Sequence, residues 1–417
     1  RRNQILAYHD RSDGGLIVTL LEMAFCSRCG LDIDLPHDAS PIEYLFNEEL
    51  GAVIQVAFDR REEIIEELNE LGIKVAQVAS VREDQVIRVA QAGEDLFASS
   101  RAELEQRWSS TSYQIQRLRD NPKCADEEFG AILDDKDPGL NASFCFDQDE
   151  DIVAPMIATG AMPEIAILRE QGVNSQVEMA AAFTRAGFLA IDVHMTEIFS
   201  GEVDLKRFRG LVACGGFSYG DVLGAGEGWA KSILYHDRLR DQFRDFFERT
   251  STFTLGVCNG CQMLATLKEL IPGADRWPKF VRNSSEQFEA RLSLVRVEES
   301  SSLFFSDMAG SRLPIVVSHG EGRADISVSD AAALQRYGLI AVRFTDSSGE
   351  IARVYPSNPN GSPDGITGVT TPDGRIMAMM PHPERVFRSL QMSWHPDGWN
   401  EDSPWMRMFR NARAWVN

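Results

Sequence analysis

The sequence predicts an α/β protein in which a C-terminal doubly wound, mostly parallel sheet is preceded by a smaller α+β module. Three observations carry that expectation. From about residue 160 onward, apolar runs of strand length alternate with helical stretches, the order that parallel βαβ units produce. Before residue 120, strand and helix patterns follow one another without that regularity. Hydrophobic residues form 43% and charged residues 25% of the 417, ordinary values for globular protein that exclude wholesale disorder and fibrous repeats.

In order, 16–25 reads as a buried helix, 31–35 alternates apolar and acidic like a half-buried strand, and 52–58 is a strand. A charged helix at 61–71 and a strand at 74–81 follow. Residues 100–120 look helical with polar faces and stop at Asn121-Pro122, a helix breaker. Acidic residues then crowd 126–151 with little periodicity, which reads as surface linker. Beyond it come a strand at 165–168, a helix at 174–186, and strands at 189–193, 211–214 and 253–257. The helical run 260–270 and the apolar run 376–380 complete the pattern. The expected organisation is a module at 1–120, an acidic linker at 121–160 and an α/β domain at 161–417.

Lys and Arg number 42 against 63 Asp and Glu, a formal charge of −21. Such a chain repels nucleic acid and anionic membrane, and no Lys/Arg block is long enough to override the field. A small molecule or another protein is the expected partner. Seven cysteines, an odd number in a long chain, point to the cytoplasm rather than to a disulfide scaffold. No apolar run approaches the roughly 20 residues that span a bilayer. The chain opens on Arg1-Arg2-Asn3 without Met, as a processed piece or an excerpt of a longer chain would.

The most informative stretch is Gly256-Val257-Cys258-Asn259-Gly260-Cys261-Gln262, where a strand runs into Gly-x-Cys-x-Gly and a helix follows. This is a nucleophile elbow with Cys in the nucleophile position. The glycines let two backbones pass at a strained turn, and the helix N-terminus favours a thiolate. The N–H of Asn259 is placed for an oxyanion, and a second donor would come from Gly215 or Gly216 in the glycine-rich loop after the preceding strand. A thiolate needs a base, and the base needs an orienting partner. Pro381-His382-Pro383-Glu384, directly after an apolar strand, supplies both, so Cys258, His382 and Glu384 form the expected triad.

Gly-x-Cys-x-Gly-x-Gln with a late His-Pro-Glu resembles the triad-type, class I glutamine amidotransferases. The stretches 215–221, 318–323 and 381–385 look like the glutaminase domain of the phosphoribosylformylglycinamidine synthases. Independently, Tyr8-His9-Asp10-Arg11-Ser12-Asp13-Gly14-Gly15-Leu16 resembles the loop that opens the C-terminal half of the aminoimidazole-ribonucleotide-synthetase-like ATP module. In the large single-chain form of that family this module precedes the glutaminase; the family is much longer than this chain.

The resemblance implies glutamine hydrolysis at Cys258 through a γ-glutamyl thioester, with His382 as base and acid and Glu384 holding its tautomer. Gln262 and the stretch from His319 would border the glutamine pocket. The ammonia would serve ATP-dependent conversion of formylglycinamide ribonucleotide in purine biosynthesis, at a site outside this chain. An auxiliary site for ADP and Mg2+ would map to Asp10 (metal) and Ser12 (nucleotide).

Plainer readings stand beside these. Gly-x-Cys-x-Gly can be a tight strand–helix junction around an inert thiol, and His382 by itself a hydrogen-bonded loop residue. Asp10 and Asp13 can be caps for the helix at Leu16. Cys26-x-x-Cys29 and Cys258-x-x-Cys261 suggest zinc, but the first pair ends a hydrophobic helix and the second has its own explanation. Competing functions are a free-standing cysteine hydrolase, such as a γ-glutamyl hydrolase or a peptidase, and a non-catalytic docking module. The front module argues against the first, and the intact Cys258, His382 and Glu384 against the second.

Overall fold

The computed structural model describes residues 4–416. They divide into two compact units, one ending at Lys136 and the other starting at Asp137.

In the first unit, β1 (Ile5–Asp10) pairs antiparallel with β3 (Ala52–Val56). A second sheet has the order β4-β2-β5-β6, built from β2 (Gly30–Leu35), β4 (Ala79–Arg82), β5 (Val86–Gln91) and β6 (Glu94–Ser100). Leu16, Leu20 and Ala24 recur at helical spacing, so α1 (Gly15–Ser27) presents one apolar stripe. That stripe shares a core with Leu31, Ile33, Ile87 and Val89 of the sheet. The short α2 (Pro41–Phe46) and the charged α3 (Arg61–Glu70) lie between the strands in sequence. The strand expected over 74–81 is confined to β4, an edge strand as long as its pairing from Gly30 to Ile33.

Helix α4 (Arg101–Arg119) ends before Pro122, as expected. The proline does not lead into linker, however. It opens α5 (Pro122–Ala131), where a missing N–H is harmless at the first helical position. Asn121 caps that helix by accepting from the N–H groups of Lys123 and Cys124. Tyr113 stacks on Phe129 at 4.0 Å, and Asp126 pairs with Arg117 at 2.8 Å, so part of the acidic run is packed against α4. Residues from 137 onward belong to the second unit, where Ser143 bridges Arg312 and Phe144 and Phe146 rest on the core. The expected linker is therefore shared between the two units. Apolar residues inside an acidic run decided the matter, against the charge pattern.

The second unit is organised by a nine-stranded sheet of order β13-β12-β15-β16-β17-β10-β9-β7-β8. Its parallel half comprises β7 (Glu164–Arg169), β8 (Leu189–His194), β9 (Gly210–Ala213), β10 (Phe253–Val257) and β17 (Ile376–Met379). Its antiparallel half comprises β12 (Glu289–Val297), β13 (Arg312–His319), β15 (Ile340–Phe344) and β16 (Ile366–Thr370). Every residue of β9, β10, β15, β16 and β17 is buried, as strands covered on both faces require. Cover comes from α6 (Ala154–Ile157), α7 (Gln176–Arg185), α8 (Met195–Ser200), α9 (Glu227–Leu234), α10 (Asp237–Glu248), α11 (Asn259–Thr266), α12 (Val328–Arg336) and α13 (Met406–Trp415). A small ribbon pairs β11 (Lys279–Val281) with β14 (Arg323–Asp325). The antiparallel wing folds back over the parallel half, for Val316 of β13 bridges His382, which follows β17. Among the described residues no helix is long and apolar enough to cross a membrane.

Candidate active site

The elbow forms as its glycines predict. β10 stops at Val257, and Cys258 takes φ 52° and ψ −109°, a conformation that L-residues rarely hold. The next residue begins α11. A Cβ on Gly256 would lie 2.6 Å from a Leu264 methyl, and one on Gly260 would lie 2.0 Å from the Ala213 carbonyl oxygen. Both positions need glycine for the helix to close onto the sheet. Cys258 is 6% exposed, with Sγ 3.7 Å from the Ser318 carbonyl. Cys261, one turn on, is fully buried, and burial pushes its thiol well up, as suits an inert core sulfur.

His382, between Pro381 and Pro383, and Glu384, directly after the second proline, follow β17 and are both buried. The His382 N–H donates to the Val316 carbonyl at 2.9 Å, and Nδ1 lies 2.6 Å from Glu384 Oε1. Burial pulls the imidazole down, but the charges of Glu384 and Cys258 outweigh it and hold His382 up at about 10. Gly215 shows how close the two reactive groups are. A Cβ there would sit 2.7 Å from His382 Cε1 and 3.3 Å from Cys258 Cβ. The structure thus brings Cys258, His382 and Glu384 together around one glycine.

The loop after β9 is stitched to the loop after β7. Ser175 Oγ accepts from the Gly215 N–H at 2.7 Å, Asn174 N–H donates to the Gly215 carbonyl, and Phe217 N–H donates to Gly172. Gly215 therefore cannot be the oxyanion donor that the sequence allowed, because its N–H is already engaged. The bonds on either side leave the Gly216 N–H outside the Val173–Gly216 bridge. Asn259 is the first residue of α11, and its N–H has no intrahelical carbonyl to reach. Its side chain accepts from Ser218 N–H at 3.2 Å and donates toward Asp221 and Gln262, tying the loop after β9 to the elbow.

The opposite wall is the turn from His319 to Arg323. Gln262 Nε2 donates to the Glu321 carbonyl. Asn283, buried and unforeseen from sequence, donates to the His319 carbonyl at 2.8 Å and accepts from Gly322 N–H at 2.9 Å. The His319 ring lies on Gly322, where a Cβ would meet it at 2.1 Å. Burial and the charge of His382 hold His319 down at about 3, so it is neutral. Asp221 is raised to about 6 by burial and by Glu321. Several buried polar atoms around the thiol have no partner among the described residues: Ser218 Oγ, Glu289 Oε1, both ring nitrogens of His319, His382 Nε2 and Glu384 Oε2.

Asp10 closes β1 and Ser12 lies in the loop between β1 and α1, both in the first unit. The Asp10 carboxylate accepts from the Tyr8 hydroxyl, and Gly14 N–H donates to Glu48 Oε1 at 2.8 Å. No group of three His, Cys, Asp or Glu able to hold a metal gathers among the described residues. Mg2+ is commonly held by one or two carboxylates together with phosphate oxygens and water, so Asp10 and Ser12 would be two contributors to a site that other groups complete.

Residues 162–416, well over half of the chain, match the model of the CobB/CobQ-like glutamine amidotransferase domain. The chain belongs to that glutamine amidotransferase family. Residues 1–91 match the C-terminal domain of AIR synthase related proteins. Among solved structures, PurLQS from Thermotoga maritima is similar at 21% identity and TM-score 0.46, over 62% of this chain and 100% of that one. A glutamine amidotransferase, also from Thermotoga maritima, is similar at 18% identity and TM-score 0.33, over 54% of this chain and 77% of that one. Thermotoga maritima PurL complexed with ATP is similar at 21% identity and TM-score 0.22. That match covers 24% of this chain, which spans only 18% of that one.

Proposed function

We propose that the second unit hydrolyses glutamine at Cys258, and that the chain is the glutaminase-bearing part of a phosphoribosylformylglycinamidine synthase. The observation that carries the first statement is the buried Glu384–His382 pair, 2.6 Å apart, set beside a strained Cys258 at a helix N-terminus. Family membership supplies glutamine as the substrate class. The second statement rests on the motif resemblance and on the match of residues 1–91 to an AIR synthase related domain.

In this reading the Cys258 thiol gives its proton to His382 Nε2, and the thiolate attacks the carboxamide carbon, forming a C–S bond as the carbonyl π pair moves onto oxygen. The N–H groups of Gly216 and Asn259 receive the oxyanion. As the intermediate collapses, the C–N bond breaks, and His382 Nε2 gives its proton to the departing nitrogen, releasing ammonia. Water then attacks the thioester while His382 takes a proton back, yielding glutamate and the free thiol. Glu384 keeps Nδ1 protonated throughout and so aims Nε2 at the reaction. Gln262 and the turn from His319 border the substrate. Formylglycinamide ribonucleotide and ATP belong to the proposed acceptor half. Asp10 and Ser12 would be edge contributors to a nucleotide site completed by other residues.

The test is Cys258→Ala with glutamate release as readout. A small residue is accepted at this position, so the variant should fold. Its kcat/KM for glutamine should fall by roughly 10³-fold or more, the scale on which a nucleophile acts. Glutamine hydrolysis at wild-type rate would exclude the reading.

A further inference from the structure

The strongest unused feature is His319. It ends β13, one residue beyond the carbonyl that lies 3.7 Å from Cys258 Sγ, and it is 3% exposed. Its backbone is clamped by Asn283 and its ring is seated on Gly322, so it is held firmly. Yet neither ring nitrogen has a partner among the described residues. Buried polar side chains are normally satisfied, and an exception asks for an explanation. Its cross-strand neighbour Glu289 also leaves Oε1 without a partner there, although Oε2 accepts from Arg291 at 2.8 Å. An unsatisfied imidazole beside the thiol suits a ligand that brings its own hydrogen-bonding group.

The chemistry narrows which part of glutamine that is. His319 ends the strand whose Ser318 carbonyl lies 3.7 Å from Cys258 Sγ and whose Val316 carbonyl holds the His382 N–H, so it belongs with the reacting end rather than with the charged α-carboxylate or α-ammonium. At the reacting end the oxyanion has its own donors. The group still needing an acceptor is the NH2 of the carboxamide, which keeps two N–H bonds until it leaves. His382 faces that nitrogen as a donor, so it cannot also accept. We propose that a bare ring nitrogen of His319 accepts an N–H from the carboxamide nitrogen of glutamine and from the ammonia it becomes. A neutral imidazole in this place selects amide over ester substrates without trapping ammonia as ammonium.

This rests on the proposed glutaminase reading, and the experiment separates the two. The full chain and its His319→Ala variant are assayed with glutamine and with glutamate γ-methyl ester, which forms the same thioester but has no N–H on its leaving group. The ratio of kcat/KM for glutamine to that for the ester should fall about tenfold in the variant, the scale of one lost hydrogen bond. An unchanged ratio, whether both rates fall or neither does, overturns the assignment of His319 and leaves the glutaminase reading standing. A wild-type chain that cleaves neither substrate overturns both. If thermal unfolding shows that the alanine variant is not folded, His319→Phe fills the ring's volume without an acceptor and is judged by the same ratio.

Discussion

At the scale of single residues, the candidate site concentrates what is unfavourable elsewhere in the chain. Cys258 holds a backbone conformation that costs about 1–3 kcal/mol. Asp221 and Glu321 oppose each other where solvent is partly excluded, so the repulsion between them is only weakly screened. The sign of the pH effect follows. The folded pKa of Asp221, about 6, lies above its ordinary value near 3.8. Between those values the folded chain binds more protons than the unfolded one, so its contribution to stability declines as pH rises from about 4 to above 6. Asp221→Asn should therefore raise the Tm by about 2 °C at pH 7.5 and leave it unchanged at pH 4, as scanning calorimetry can check. Cys258, His382 and Glu384 were legible in sequence because motif and spacing both marked them. Asn283 and Ser175 were not. Ser175 occupies the N-cap of α7, as its type suggests, but its hydroxyl serves Gly215 forty residues away instead of its own helix. A side chain choosing a distant partner over a local one leaves no trace in spacing.

At the scale of elements, the alternation of strand and helix after residue 160 was correctly readable because β7, β9 and β10 are nearly continuous apolar runs. The antiparallel wing was harder to read. β12 and β13 mix polar and apolar residues, and nothing local says that Val316 will meet His382. In the front unit Pro122 misled by position: it stops one helix and starts the next. The junction of α11 with β9 is a tight contact of backbone on backbone. Gly260→Ala would drive a methyl group to 2.0 Å from the Ala213 oxygen, a backbone atom that cannot turn aside. Destabilisation of about 3 kcal/mol is expected, measured by urea unfolding, the upper end for an overpacked core. Glutamine turnover should fall with it even under conditions where the variant stays folded, since the helix would lift Asn259 away from the thiol.

At the scale of the whole molecule, each unit has a core of its own, with Leu20, Ile33 and Val89 in one and the strands of the nine-stranded sheet in the other. Residues 137–417 should accordingly fold when expressed alone, with circular dichroism and the alkylation rate of Cys258 as measured in the full chain; an insoluble or unreactive product would contradict this. Within that second unit the return of the antiparallel wing has a further consequence. The groups around the thiol come from residues as early as Ser175 and as late as Glu384, and His382 is positioned by a strand from the far edge of the sheet. A ribosome that has released the elbow has not yet made the base. A nascent chain, or one that has lost its wing to a protease, carries a cysteine and nothing to activate it. Ammonia release would then begin only after the last strand is in place, and a damaged copy would fall silent instead of leaking.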